Sequence, residues 1–251
     1  LNRTTVNHAT DIRRGYLHGE LDLLGILESV AARRPKVLKN GLPNLAFFRA
    51  ANAALARPDV EAEGVGFVQV EFWLTLAHEA GVLIENDSML EPSAAADEFF
   101  AGTLPERREF MRNAWLNSRH LNEFTLTPEI ELPGLKKGRT VDVTTDLPDL
   151  ETLQNARRVL SRAAAELTEE ITLRQFVREI EKQHRNLFIN HDDDGSWRQV
   201  FYRGIRDRGG RSDLERDGNW DLVEGTVIGL CCAMPLAKLG YLTWDPRNRT
   251  V

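Results

Sequence analysis

The chain has 251 residues, enough for one large domain or two small ones, and its 42% hydrophobic and 28% charged residues exclude disorder as the dominant state. A formal net charge of −6 opposes whole-surface attraction to nucleic acid or anionic lipid and leaves a local basic face as the only electrostatic route to either. No apolar run reaches the length of a membrane span, so no membrane partner is expected.

Residues 1–19 are polar, lack the apolar core of a secretory signal, and read as an N-terminal arm. The opening on Leu1 rather than Met is what a piece of a longer protein would show. Leu21, Leu23, Leu24, Ile26, Leu27 and Val30 then recur at helical spacing and predict a helix ending near Arg33-Arg34, before Pro35. Lys36-Val37-Leu38 reads as a short extended piece and Asn40-Gly41 as a turn. Pro43 suits the first position of a second helix, with Leu45, Phe47, Phe48, Ala51 and Leu55 as its apolar positions. A third helix, Phe67 to Ala80, is stopped by Gly81. Val82-Leu83-Ile84, a polar turn and Met89-Leu90 predict a hairpin. Helices follow around Ala94 to Phe100 and Pro105 to Arg119.

The character changes after Leu121. Residues 122–147 hold Pro128 and Pro133, a Gly134 to Gly138 turn and the alternating segment Thr140 to Thr144, and read as a linker or strand-rich insert. Beyond it, Leu150 to Leu167 is an amphipathic helix, and Thr172 with Gln175 forms a capping-box pattern ahead of Leu173, Phe176, Val177 and Ile180. His191 to Gly195 is a loop, Trp197, Val200, Phe201 and Ile205 begin another helix, and Arg206 to Gly218 is polar. Trp220 to Leu239 is the last helix, capped by Gly240 and followed by a terminal strand, Tyr241 to Trp244.

Three helices followed by a hairpin is the order of a winged helix. Residues 20–121 show that order, and residues 148–251 show a looser version of it. The expected fold is therefore mainly α with small β hairpins, in tandem winged-helix-like halves, without an exact sequence repeat.

Several segments support a family resemblance. Arg34-Pro35-Lys36-Val37-Leu38-Lys39-Asn40-Gly41, the hairpin pattern Gly81-Val82-Leu83-Ile84 to Leu90-Glu91-Pro92, and the helix Pro105 to Leu116 carry its first block. Trp220-Asp221-Leu222-Val223-Glu224-Gly225 and Pro235-Leu236-Ala237-Lys238-Leu239-Gly240 carry its second. Together they resemble bacterial helicase-associated proteins similar to the N-terminal domain of XPB-type helicases, over about residues 20–120 and 220–244. Leu38-Lys39 stands where that family usually has Thr-Lys. The resemblance implies a winged-helix-like accessory region beside a DNA-processing machine, with DNA and a helicase or another protein as partners.

Residue chemistry narrows the role. No phosphate-binding G-x-x-x-x-G-K-[ST] loop occurs, so the chain is not itself the motor. His78-Glu79 lacks the second His of a zinc protease, Val82 standing in its place. The acidic turn His191 to Gly195 lacks the later carboxylate of a calcium loop, and Glu179, Glu181 and Lys182 read as a solvated helix face. The adjacent Cys231 and Cys232 lie in an apolar run and read as buried small hydrophobes, consistent with a reducing cytoplasm. No catalytic residue, cofactor or metal is expected.

The third helix carries Glu71 and Glu79 and no Lys or Arg, so the usual docking of that helix into a major groove is disfavoured. The nucleic-acid candidates are instead Arg33, Arg34, Lys36 and Lys39 in the first turn, and Arg203, Arg206, Arg208 and Arg211 beside Gly209-Gly210. A non-catalytic accessory or adaptor module with sequence-independent DNA contacts is the expectation. A protein–protein scaffold with no DNA contact is the alternative.

Overall fold

The computed structural model describes residues 19–39, 41–59, 66–131, 148–189, 201–202 and 220–251. The chain is mainly helical and divides after Leu121 into two units.

In the N-terminal unit the predicted leucine ladder forms helix α1, residues 19–33, burying Leu23, Ile26, Leu27 and Val30. Leu21, counted in the same apolar line, is instead 54% exposed. Arg34 leaves the helix at φ +41°, and the chain then extends, so that Lys36 bridges Met89 across the unit. Val37 N–H donates to Ser88 O at 2.8 Å and Leu90 N–H to Pro35 O at 3.0 Å. Helix α2 is Leu45–Ala53. Its N-cap is Asn44, whose side chain accepts from Phe47 N–H at 2.9 Å, so Pro43 stands just outside the helix rather than at its first position.

The buried Asp22 of α1 accepts from Ala56 N–H at 2.7 Å and so fixes the exit of α2. Asn52 and Asp59 exchange two hydrogen bonds, and Asp59 also accepts from Gln69 N–H at 2.8 Å. This network leads the chain into α3, Val68–Glu79, which buries Val70, Phe72, Trp73, Leu74, Leu76 and Ala77. Strands β1 (Leu83–Asn86) and β2 (Met89–Pro92) pair antiparallel, Leu83 opposite Pro92 and Asn86 opposite Met89. The two-residue turn between them puts Asp87 and Ser88 at φ +51° and +61°, the geometry of a type I′ hairpin. Helices α4 (Ala94–Ala101) and α5 (Leu104–Asn117) complete the unit, α5 starting on a Thr103/Glu106 capping box and packing on α3.

The C-terminal unit begins inside the stretch read as linker. Helix α6, Glu123–Leu126, buries Glu123, Phe124 and Leu126, and is followed by β3, Ile130–Glu131. Strand β3 pairs antiparallel with β4, Phe201–Tyr202. Phe201 therefore lies on a strand, not on the helix that its spacing with Trp197 suggested, because backbone pairing with β3 overrides a helical pattern carried by few apolar residues. The alternating segment Thr140 to Thr144 and the loop His191 to Gly195 lie outside the described residues.

Helix α7, Leu150–Ala165, is capped by Asp149, and α8, Leu173–Gln183, by the predicted Thr172/Gln175 box. Helix α9, Trp220–Cys231, runs into a π-helical turn, Cys232–Leu236, where Pro235 has no N–H to give to an α-helical ladder. Gly240 ends the helical run at φ +73°. Residues 241–244 do not form the predicted strand. Pairing comes later, with Asp245 opposite Thr250 and Thr250 opposite Thr172.

Among the described residues the two units share part of a connectivity. In the first, α1, the Lys36 bridge, α2, α3 and a hairpin follow in order, and the last strand pairs back on Lys36. In the second, α7, the Thr172 bridge, α8, α9 and the closing 245–250 hairpin follow, and Thr250 pairs back on Thr172, with β4 between α8 and α9. Among the described residues no helix is long and apolar enough to cross a membrane.

Candidate functional site

Of the sequence candidates, Arg33, Arg34, Lys36 and Lys39 are described, and all four are exposed along the α1–α2 connection. They are not equivalent. Arg34 reaches across to the hairpin, its Nη2 2.6 Å from Glu91 Oε2, which also places its charge against an acidic neighbour. With the Arg34 side chain 59% exposed, that pair adds at most about 1 kcal/mol. Arg33, Lys36 and Lys39 keep their cationic groups in water. The hairpin tip beyond them is acidic, with Glu85 and Asp87 exposed. Arg203, Arg206, Arg208 and Arg211 lie outside the described residues.

The third helix of this unit has structural uses for its acids. Glu79 Oε1 accepts from Ser118 Oγ, Arg119 N–H and His120 N–H at 3.1, 2.8 and 2.6 Å, tying the end of α5 to the end of α3. Glu71 is half-buried on the first turn of α3, and desolvation pushes its carboxyl from 4.5 up to about 7. Because the folded-state value is raised, the folded chain holds a proton that the unfolded chain has released between those pH values. The contribution of this carboxyl to stability is greatest below 4.5 and is lost as pH rises towards and through 7. Glu71→Gln is expected to leave stability nearly unchanged at about pH 4 and to stabilise at about pH 8 by about 1–2 kcal/mol, reduced from the full linkage for partial solvation. Equal melting shifts at the two pH values would contradict this assignment.

The remaining chemistry-bearing groups are built into the core or solvated. Arg157 and Glu123 form a two-point ion pair at 2.8 and 3.0 Å, with side chains 1% and 2% exposed. Fully buried Glu224 accepts from Phe188 and Ile189 N–H at 3.0 and 3.1 Å. Cys231 and Cys232 are buried as expected, and burial pushes both thiols far above their ordinary value, with Glu123 raising Cys231 further. Neither supplies a thiolate nucleophile. Lys182 pairs with Glu179 on the exposed face of α8. Among the described residues no group of three or more His, Cys, Asp or Glu side chains is placed to hold a metal ion.

A second surface, in the C-terminal unit, was not found from the sequence. A groove of about 620 Å³ runs along the seam of α8 and α9 and is closed at one side by the terminal hairpin. Its floor is set by two glycines. A Cβ on Gly225 would lie 3.2 Å from Val177 Cγ1, tighter than an ordinary contact, whereas one on Gly229 would meet Leu173 Cδ2 at an ordinary 3.4 Å, so the packing of α8 on α9 is tightest at Gly225. Arg174, Arg249, Asn248 and the half-buried Trp244 line it together with Glu129 and Asp221.

The hairpin that presents Arg249 is held rigidly. Asp245 accepts from Arg247 N–H and Asn248 Nδ2, both at 2.8 Å, and the Arg247 bond leads in holding its carboxyl below the ordinary value. Leu173 N–H donates to Arg249 O at 2.8 Å, and Thr250 Oγ1 to Glu170 Oε1 at 2.6 Å. Arg249 itself sits at φ +52°, a left-handed conformation that costs a residue bearing a Cβ about 1–2 kcal/mol. The groove residues come from segments far apart in sequence, and no local pattern announced them.

No known protein family, curated protein or solved structure matches this chain.

Proposed function

We propose that the chain is a non-catalytic accessory module of a DNA-transacting system, built from two winged-helix-type units that touch nucleic acid without reading its sequence. A partly shared connectivity supports this reading: in each unit a single residue after the first helix, Lys36 or Thr172, bridges to a residue of the closing segment, Met89 or Thr250. The resemblance to helicase-associated proteins gives such a pair its setting, beside a motor it does not itself contain.

The manner of contact follows from charge. Neither α3 nor α9 carries a Lys or Arg, whereas the α1–α2 connection carries Arg33, Arg34, Lys36 and Lys39. Phosphate contact through that connection is electrostatic and therefore salt-sensitive. The same lack of basic residues on the third helices favours the second reading, a protein-docking scaffold.

Anisotropy titration of labelled duplex and single-stranded DNA at low and high salt separates the two. Binding that weakens by about tenfold or more with salt, and again when Arg33, Lys36 and Lys39 are replaced by Ala, supports nucleic-acid contact. A flat titration at low salt leaves the scaffold reading.

A further inference from the structure

We propose that the α8–α9 groove is a site for single-stranded nucleic acid, with a phosphate held between Arg174 and Arg249 and a base lying against Trp244. This deepens the reading above and rests on it. Among the described residues neither guanidinium is engaged in an ion pair, so both are available to a phosphate. Trp244 is the half-buried aromatic of the groove, in contrast to Trp73, Trp115 and Trp220, which are buried. An aromatic platform beside cationic side chains is the combination that holds unpaired bases irrespective of sequence.

The rigidity of the closing hairpin fits the same use. The backbone of Arg249 is held in a left-handed conformation by the bond from Leu173 N–H and by the Asp245–Thr250 pair, so the point from which its side chain springs is set. The acids decide between strand types. Glu129 and Asp221 line the groove with the two arginines, so its formal charge balances. A duplex would bring phosphates to those carboxylates. A single strand can instead turn base edges toward them, where an exocyclic amine donates to a carboxylate.

The test uses the whole chain and a labelled short oligo(dC), read by anisotropy at low salt. Unlabelled duplex of the same length and an Asp/Glu-rich peptide are the competitors. Trp244→Ala is expected to weaken oligo(dC) binding by about tenfold or more, and Trp244→Phe to retain most of it. Arg174→Ala with Arg249→Ala is expected to weaken it comparably and to flatten its salt dependence. Circular dichroism of each variant checks that the fold is kept.

Wild-type affinity in both the Trp244→Ala and the double arginine variant overturns the proposal. So does an acidic peptide that binds the chain and loses affinity in those variants while oligo(dC) does not. If replacing Arg33, Lys36 and Lys39 abolishes binding and the groove variants leave it unchanged, the groove inference falls and the nucleic-acid reading stands. If the wild-type chain binds no oligonucleotide at low salt, both fall.

Discussion

Replacing Arg157 by Ala is expected to destabilise the C-terminal unit by about 3–5 kcal/mol, read as a lower urea midpoint in far-UV circular dichroism. The cost comes from what remains. Glu123, with its side chain 2% exposed, would keep a buried carboxylate stripped of the two guanidinium bonds that Arg157 supplies at 2.8 and 3.0 Å. Glu123→Ala is expected to cost a similar amount by removing the carboxylate that faces the buried guanidinium. Replacing both partners together, Glu123→Leu with Arg157→Met, removes both desolvated charges and is expected to recover most of the loss. A cost below about 1 kcal/mol for Arg157→Ala would show that the pair is solvated and that α6 is not part of this core.

Trp115→Ala should cost the N-terminal unit about 3–5 kcal/mol in the same measurement. Trp115 is 0% exposed, and with Met111 it forms the buried seam by which α5 joins the unit. The seam is narrow, so no other side chain of α5 can take up the lost contact. Trp115→Phe keeps an aromatic ring in the site and is expected to cost markedly less. A midpoint unchanged by Trp115→Ala would place α5 outside the core.

Much of this was legible in the sequence because it is local. The Thr172/Gln175 cap, the apolar spacing of α3 and the hairpin around Asp87-Ser88 each occupy a few consecutive residues, and each took its predicted form. What was missed depends on distant pairing. A one-residue bridge such as Lys36 to Met89 or Thr172 to Thr250 has no periodicity to detect. Glu123 fell inside the stretch read as a linker or strand-rich insert, and its partner lies 34 residues away on α7. Phe201-Tyr202 was indistinguishable from a helical fragment until Ile130-Glu131 supplied the ladder. The groove needed α8, α9 and the last residues of the chain at once, so Arg174, Trp244 and Arg249 gave no joint signal.

Amide hydrogen exchange of the chain, with and without a saturating oligonucleotide, most directly tests whether nucleic acid meets the α1–α2 connection and the closing loop rather than helix α3. The expected result is slowed exchange over residues 35–39 and 245–250, with Val68–Glu79 unchanged. Slowing confined to Val68–Glu79, or no change anywhere, would contradict it.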